Sequence, residues 1–180
     1  EGPEHVAISP SGQLYISVVD GSLLRLNADG SELEVFVNTG GRILGFDFDA
    51  SGNIIAADAL KGVLKITPDR RIEILIDEVE GKQIPYPNSV VIASSGMIYF
   101  TDSSSRFAPA DWGGTFEATM LDIVEQSATG RVIAYDPLSG KASIIAQGLS
   151  FANGIALSHD EQTLFVVETG RYRVWKIAIF

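Results

Sequence analysis

Short apolar runs separated by turn residues follow one another along the whole chain. In residues 84–107 a Pro-marked loop holds Asn88, an apolar run covers residues 90–93, and a β-branched and aromatic run covers residues 97–101 before Asp102. Runs of this length, bounded by Pro, Gly, Ser and Asp, are typical of β-strands joined by tight turns. Because no amphipathic helix alternates regularly with these runs, the pattern predicts an all-β fold.

The strand-turn-strand unit recurs at a nearly constant period. Gly12, Gly52 and Gly96 mark equivalent turns 40 and 44 residues apart, and the turn around Gln162 follows 66 residues later. Aligned on these turns, the sequence predicts three groups of four strands and a fourth group of three, over about residues 4–40, 44–80, 88–148 and 153–180. Four short strands per period are typical of β-propeller blades. A β-sandwich also has many short strands, but it gives no reason for the same loop chemistry to recur.

The predicted chain is therefore part of a propeller ring, with about three and a half blades. A propeller closes only by completing its ring, so we expect that the chain is a piece of a longer protein or that self-association completes it. The apolar residues 177–180 stop where a fourth strand should begin, and they are expected to leave an exposed sheet edge.

One loop is much longer than its counterparts. The connection between the second and third strands covers residues 103–130 in the third group and contains Phe107, Trp112 and Phe116. Because successive strands alternate in direction, this insertion should lie on the same face as the loops that enter each first strand. Long loops with their own aromatic residues are often functional covers, so we predict that these three aromatics contact substrate. The alternative is an ornament that packs on the neighbouring blade.

The residue just before each predicted first strand should lie at the inner end of its blade, near the ring axis. This column contains Glu4, Leu44, Asn88 and Asn153, of which three carry side-chain oxygens. Converging carboxylate and amide oxygens suit a hard cation such as Ca²⁺. Each Asn alone would be ordinary turn chemistry, but the shared column predicts a metal site formed by Glu4, Asn88 and Asn153.

A second column of carboxylates, Asp58, Asp102 and Glu168, ends the predicted second strands. Such groups can orient metal ligands, act as a general base, or cap loops by accepting backbone N–H bonds. Asp58 is interpreted as a loop cap. Asp102 is the predicted catalytic residue, because it adjoins both the blade of Asn88 and the insertion.

His5, which follows Glu4, is a second predicted catalytic base. The serines at 103, 104 and 105 lack a nucleophile elbow and an evident histidine partner, so they are interpreted as turn residues that bond to the backbone.

Composition narrows the classes of partner. The chain has 13 Lys and Arg against 23 Asp and Glu, a formal charge of −10, together with 46% hydrophobic residues and no cysteine. This charge argues against nucleic acid and anionic membrane surfaces and favours a cation and a small-molecule substrate. No apolar run is long enough to be a membrane-spanning segment, and the absence of cysteine excludes disulfides and thiol chemistry.

The chain contains, in this order, the segments GPEHVAI, GRILGFDF, ADALKG, EVEGK, YFTDSSS, DIVEQSATGRVIAYDP and FANGIALS. These segments resemble the strictosidine synthase-like family, including its adipocyte plasma membrane-associated protein branch. They are more distantly similar to gluconolactonases and senescence-marker-protein lactonases. The resemblance covers essentially the whole chain, and YFTDSSS followed by GRVIAYDP is specific.

This resemblance implies a six-bladed propeller and, in the lactonases, a divalent metal on the ring axis. Glu4, Asn88 and Asn153 match the metal-site positions of that family, whose further aspartate ligand comes from a later blade. The catalytic glutamate of the plant synthases also comes from a later blade. An extracytoplasmic location, secreted or membrane-anchored, is favoured by the same resemblance.

Two classes of function follow. The first is a Ca²⁺-dependent hydrolase of a lactone or ester, in which Asp102 or His5 handles the proton. The second is a non-hydrolytic member of the same fold, either a Pictet-Spengler-type synthase that joins an amine to an aldehyde or a propeller that only binds a ligand. Fold alone does not decide between them.

Overall fold

The computed structural model describes residues 2–179, and the expectation for Phe180 lies outside them. The first sheet contains β1 (His5–Ile8), β2 (Leu14–Ser17), β3 (Ser22–Leu26) and β4 (Glu34–Asn38). The second contains β5 (Ile43–Phe48), β6 (Ile54–Asp58), β7 (Gly62–Ile66) and β8 (Ile72–Ile76). A small hairpin, β9 (Glu78–Val79) and β10 (Lys82–Gln83), follows it. The third sheet contains β11 (Pro87–Ile92), β12 (Ile98–Asp102), β13 (Gly130–Asp136) and β14 (Lys141–Leu149). The fourth contains β15 (Ala152–Leu157), β16 (Thr163–Glu168) and β17 (Arg173–Ala178).

The four sheets stand side by side around a common inner edge. Each sheet runs antiparallel in chain order, and its first strand contacts the first strand of the next sheet, in the order β1, β5, β11 and β15. Glycine permits a close approach between β5 and β11, because a Cβ on Gly45 would lie 2.8 Å from the carbonyl oxygen of Asn88. The prediction of a partial propeller is confirmed, whereas the β9–β10 hairpin was not anticipated.

The hydrophobic core is divided among the spaces between successive sheets. Phe46 and Leu23 belong to the cluster between the first and second sheets, Phe100 and Val63 to the next, and Val166 to the third. A sandwich would instead enclose one core between two sheets. The second and third sheets each contribute to two clusters, so their strands carry apolar side chains on both faces.

The two outermost sheets expose apolar side chains on the faces that have no neighbouring sheet among the described residues. These side chains are Val6, Ile8 and Val35 in the first sheet and Phe165, Val167, Val174 and Trp175 in the fourth. Exposed apolar faces of this extent are normally covered by other protein surface.

The insertion at residues 103–130 contains α1 (Thr115–Glu125), the one α-helix in the described part of the chain. Ala118 of α1 packs with Leu44, Tyr86 and Phe151, which come from the inner ends of the second, third and fourth sheets. The Tyr86 hydroxyl donates a hydrogen bond to the carbonyl of Thr115 at 2.8 Å. The insertion therefore covers the inner-loop face. Neither α1 nor the short 3₁₀ helix Thr169–Arg171 is long and apolar enough to cross a membrane.

A buried carboxylate at the end of each of three second strands holds the segment that enters the same sheet. Asp58 Oδ1 accepts the backbone N–H of Arg42 at 2.9 Å, and Asp102 Oδ1 accepts that of Tyr86 at 3.0 Å. Glu168 Oε1 likewise accepts the N–H of Ser150 at 2.9 Å. All three carboxylates are fully buried, so each satisfies an inner-loop donor that water cannot reach.

An arginine side chain pairs with each of two of these carboxylates, a buried one with Asp102 and a partly exposed one with Glu168. Asp102 Oδ2 accepts from Arg131 Nε at 2.9 Å and Nη2 at 2.6 Å, and Arg131 also donates to the carbonyl of Gln83. Glu168 Oε2 accepts from Arg173 and from the indole N–H of Trp175. Burial raises the pKa of Asp102 to about 6, while Arg131 and the N–H of Tyr86 act to lower that pKa.

Replacement of Asp102 by Ala is expected to lower the free energy of unfolding by about 3–5 kcal/mol, because it leaves Arg131 buried without a counterion. The double variant Asp102→Ala/Arg131→Met should recover part of this loss. Asp111→Ala is the control, since Asp111 is exposed and should change stability by less than about 0.5 kcal/mol. Urea unfolding measures the stability of all three variants. A wild-type midpoint for Asp102→Ala would contradict the proposal that Asp102 stabilises the inner loop and Arg131.

Candidate metal site

The predicted axial column lies at one end of the adjacent first strands. Glu4 immediately precedes β1, and Leu44, Asn88 and Asn153 lie near the beginning of β5, β11 and β15. The sequence pattern placed these residues just before the strands, whereas the structure places three of them inside. Because the first strands lie side by side, the four residues occupy equivalent positions around the inner edge.

A β-bulge occurs at the column position in each of the last three sheets. Pairing between the first and second strands shifts at Leu44, at Asn88 and at Asn153, and it is regular on either side. Residues at a bulge leave the normal ladder, so their side chains are re-aimed relative to the strand alternation. The bulges therefore explain why the side chains at these positions do not follow the alternation between the two faces of the sheet.

Hydroxyl groups hold the amide nitrogens of both column asparagines. Asn88 Nδ2 donates to Ser103 Oγ at 2.9 Å, and Ser103 Oγ donates in turn to the carbonyl of Ala152 at 2.7 Å. Asn153 Nδ2 donates to Thr169 Oγ1 at 3.1 Å. Among the described residues neither Oδ1 atom receives a hydrogen bond, so both amide oxygens are left for another partner.

Ser103 and Thr169 are functional candidates that the sequence reasoning missed. Each directly follows the carboxylate that ends its second strand, and each bonds the column asparagine of its own sheet. In the second sheet the same two positions hold Ala59 and Leu44, which pack in one hydrophobic cluster. A comparison of the internal repeats could have found this signal. Where the column residue is Asn, the residue after the carboxylate carries a hydroxyl group, and where the column residue is Leu, that residue is Ala.

Glu4 supplies the carboxylate of the column. Its side chain is 47% exposed, and its Oε2 accepts a hydrogen bond from Arg42 Nη2 at 3.0 Å. Together with the two free amide oxygens, this gives three hard donors, which fit Ca²⁺ better than a softer metal. No group of three or more His, Asp or Glu side chains suited to metal binding occurs in residues 2–179, so Asn is essential to the proposed ligand set.

The two predicted proton carriers lie in different surroundings. His5 is half-buried next to Glu4, and its ring meets that of Phe46 edge-on at 4.8 Å. Burial lowers the pKa of His5, although Asp47, the Phe46 backbone and Glu4 act to raise it. Asp102 is fully buried, with both oxygens occupied. Its catalytic assignment stays a prediction, while its contacts are those of a residue that positions Tyr86.

The three predicted substrate-contacting aromatics separate into two environments. Phe107 is buried in the cluster between the insertion and the inner loops, and its ring lies edge-on to Trp112 at 5.2 Å. Trp112 is 46% exposed and Phe116 is 72% exposed. Phe107 therefore anchors the insertion, and the other two present apolar surface outside it.

Comparisons with known proteins match this architecture. The family model described as strictosidine synthase matches residues 88–179, and the model described as strictosidine synthase-like, N-terminal, matches residues 1–26. Protein strictosidine synthase-like 6 of Arabidopsis thaliana is 36% identical over 173 residues, which cover 93% of this chain and 45% of that protein. The adipocyte plasma membrane-associated protein of Rattus norvegicus is 28% identical, over 99% of this chain and 50% of its own.

Two solved structures show the fold. A gluconolactonase from Xanthomonas campestris superimposes with a TM-score of 0.81 at 23% identity, over 98% of this chain and 58% of its own. The calcium-binding protein regucalcin from Agrobacterium tumefaciens gives a TM-score of 0.72 at 15% identity, over 99% of this chain and 54% of its own.

The chain spans about half the length of the curated relatives it matches. One family model covers more than half of the chain, and the sheet arrangement agrees with propellers of solved structure. The chain therefore belongs to the strictosidine synthase-like family.

Proposed function

We propose that this chain forms the axial metal site of a propeller enzyme that hydrolyses a lactone or ester. The observation that carries the proposal is the pair of anchored asparagines, Asn88 and Asn153, whose amide nitrogens are held and whose oxygens accept no hydrogen bond from residues 2–179. Glu4 adds a carboxylate at the equivalent position of the first sheet. One structural neighbour is a gluconolactonase and the other is a calcium-binding protein, which is compatible with the proposal, while their low identity to this chain supports the fold alone.

The residues of this chain have distinct proposed roles. Glu4, Asn88 and Asn153 would hold a divalent cation, most suitably Ca²⁺, and a bound cation of this kind supplies electrophilic polarisation of a carbonyl. Ser103 and Thr169 fix the amide orientation. The insertion limits access of water, because α1 and Phe107 pack on the inner loops.

His5 is the proposed proton acceptor, with Asp102 as the other proposed residue. A lowered pKa keeps the imidazole of His5 neutral near pH 7, the form that accepts a proton. The position of His5 beside Glu4 also favours it. Asp102 would need to give up contacts with Tyr86 or Arg131 in order to reach a substrate.

The match to the strictosidine synthase family model favours a second function, amine-aldehyde condensation without a metal. The Glu4–Arg42 ion pair also favours it, because Arg42 already neutralises the carboxylate of the column. A measurement of cation binding distinguishes the two proposals, because the hydrolase requires a cation at the column and the condensation does not.

Asn88→Leu combined with Ser103→Ala is expected to abolish Ca²⁺ binding while the chain remains folded. These two substitutions give the third sheet the residues that the second sheet has at the same positions, Leu44 and Ala59. Packing should therefore be preserved while an oxygen ligand is lost. Ser103→Ala alone should weaken Ca²⁺ binding by about 10–100-fold, as loss of a ligand-orienting partner does. Ser105→Ala is the control, and calorimetric titration with CaCl₂ is the measurement. Undiminished binding by the double variant would contradict the site.

The proton acceptor can be assigned from pH profiles of hydrolysis, measured with a panel of lactones and aryl esters in protein that completes the ring. Because the acceptor must be deprotonated, kcat/KM should fall as the pH drops through the pKa of that group, which burial lowers for His5 and raises to about 6 for Asp102. His5→Gln should lower kcat/KM by about 10²–10⁴-fold and remove this acid limb. Asp102→Asn should keep the limb, and the opposite pattern would assign the proton transfer to Asp102.

We also propose that the exposed apolar faces of the first and fourth sheets are covered by further blades or by a second copy of the chain. Sedimentation velocity of this chain should then show a mass that rises with concentration. Val174→Lys should weaken association by about tenfold or more, and Leu138→Lys, on an exposed turn away from these faces, should not. A monomer at every concentration would rule out self-association.

A further inference from the structure

Arg42 occupies a special position in the repeat. It lies two residues before Leu44, as Tyr86 and Phe151 lie two residues before Asn88 and Asn153. Tyr86 and Phe151 are buried beneath the insertion, with their rings edge-on at 5.5 Å. Arg42 places a cation where the neighbouring sheets have aromatic rings.

The guanidinium of Arg42 is buried but only partly satisfied. Its side chain is 12% exposed, and Nη2 donates to Glu4 Oε2 at 3.0 Å. Nε and Nη1 are buried and have no acceptor among the described residues. Buried charged donors are nearly always paired, so two unpaired nitrogens on one guanidinium indicate that an acceptor is missing.

Glu4 connects this guanidinium to the proposed metal site. The same carboxylate is the Arg42 partner and a proposed Ca²⁺ ligand, and two positive groups next to one carboxylate repel each other. A cation bound at Glu4 would therefore weaken the ion pair and leave the guanidinium free to turn. A guanidinium freed in this way presents parallel N–H donors that match a planar carboxylate.

We propose that Arg42 is the anion-binding residue of this site and that Glu4 holds it until the ion pair is broken. The ligand class is a carboxylate-bearing small molecule, such as the hydroxy acid formed when a lactone is hydrolysed. The link to a cation rests on the proposed function, whereas anion binding by a freed Arg42 does not.

Calorimetric titration with sodium 4-hydroxybutyrate tests the proposal, with 1,4-butanediol as the matched neutral probe. Without any cation, Glu4→Gln should bind 4-hydroxybutyrate about tenfold more tightly than wild type, because the carboxylate that competes for Arg42 is gone. Glu4→Gln/Arg42→Gln should lose this gain, and Glu4→Gln/Arg42→Lys should retain part of it. Arg70→Gln, which removes an exposed arginine paired with Glu34, is the control and should change nothing. 1,4-Butanediol, which has no carboxylate, should show the same affinity for all of these variants.

The same variants in CaCl₂ test the competition. Arg42→Gln should bind Ca²⁺ about tenfold more tightly than wild type, since its competitor for Glu4 is removed. Circular dichroism confirms that each variant is folded. Equal 4-hydroxybutyrate affinity in Glu4→Gln and Glu4→Gln/Arg42→Gln would overturn the proposal. Absence of Ca²⁺ binding in every variant, with anion binding still dependent on Arg42, would instead overturn only the metal-dependent function.

Discussion

The structure depends on the hydrogen bond between a buried carboxylate and the backbone of the loop that enters the same sheet. Asp58, Asp102 and Glu168 each end a second strand, and each accepts an N–H from a segment that must turn toward the ring axis. An inner loop of this kind cannot use the strand ladder, so its donors would be unsatisfied without such an acceptor. The carboxylate column therefore sets where the inner loops of the second, third and fourth sheets begin and where their axial residues lie.

The geometry of the candidate site follows from that attachment. The carboxylate holds the loop, and the residues that follow it begin the first strand. A bulge interrupts the pairing of this strand with the second strand, and the column residue lies at that bulge. The hydroxyl that follows the carboxylate then decides the orientation of the amide. In the second sheet Ala59 and Leu44 turn the same backbone arrangement into hydrophobic packing under α1. One scaffold thus supports oxygen donors in two sheets and an apolar wall in another.

Charge is distributed so that a strongly acidic chain keeps its key cations buried. The formal charge is −10, yet Arg131 is buried and paired to Asp102, and Arg42 lies beside Glu4. Burial strengthens the Arg131–Asp102 pair more than the Arg42–Glu4 pair, since Glu4 is 47% exposed and water and salt screen its carboxylate. The overall charge favours the approach of cations, and Arg42 at the inner edge is the proposed binding residue for an anion.

The sequence by itself determined the repeat, the strand order, the insertion and both columns of residues. These features depend on periods of a few residues within a strand and of about forty between sheets, which a single chain displays directly. It did not determine the bulges, the anchoring of Asn88 by Ser103, or the pairing of Arg42 with Glu4. These contacts join residues 15 and 38 positions apart across loops and sheets, and their partners are chosen by backbone approach after the sheets pack. The sequence pattern favours a turn role for Ser103 and assigns no role to Arg42. Tertiary packing buries both side chains, and burial makes the choice of hydrogen-bond partner decisive because an unpaired polar group is then costly.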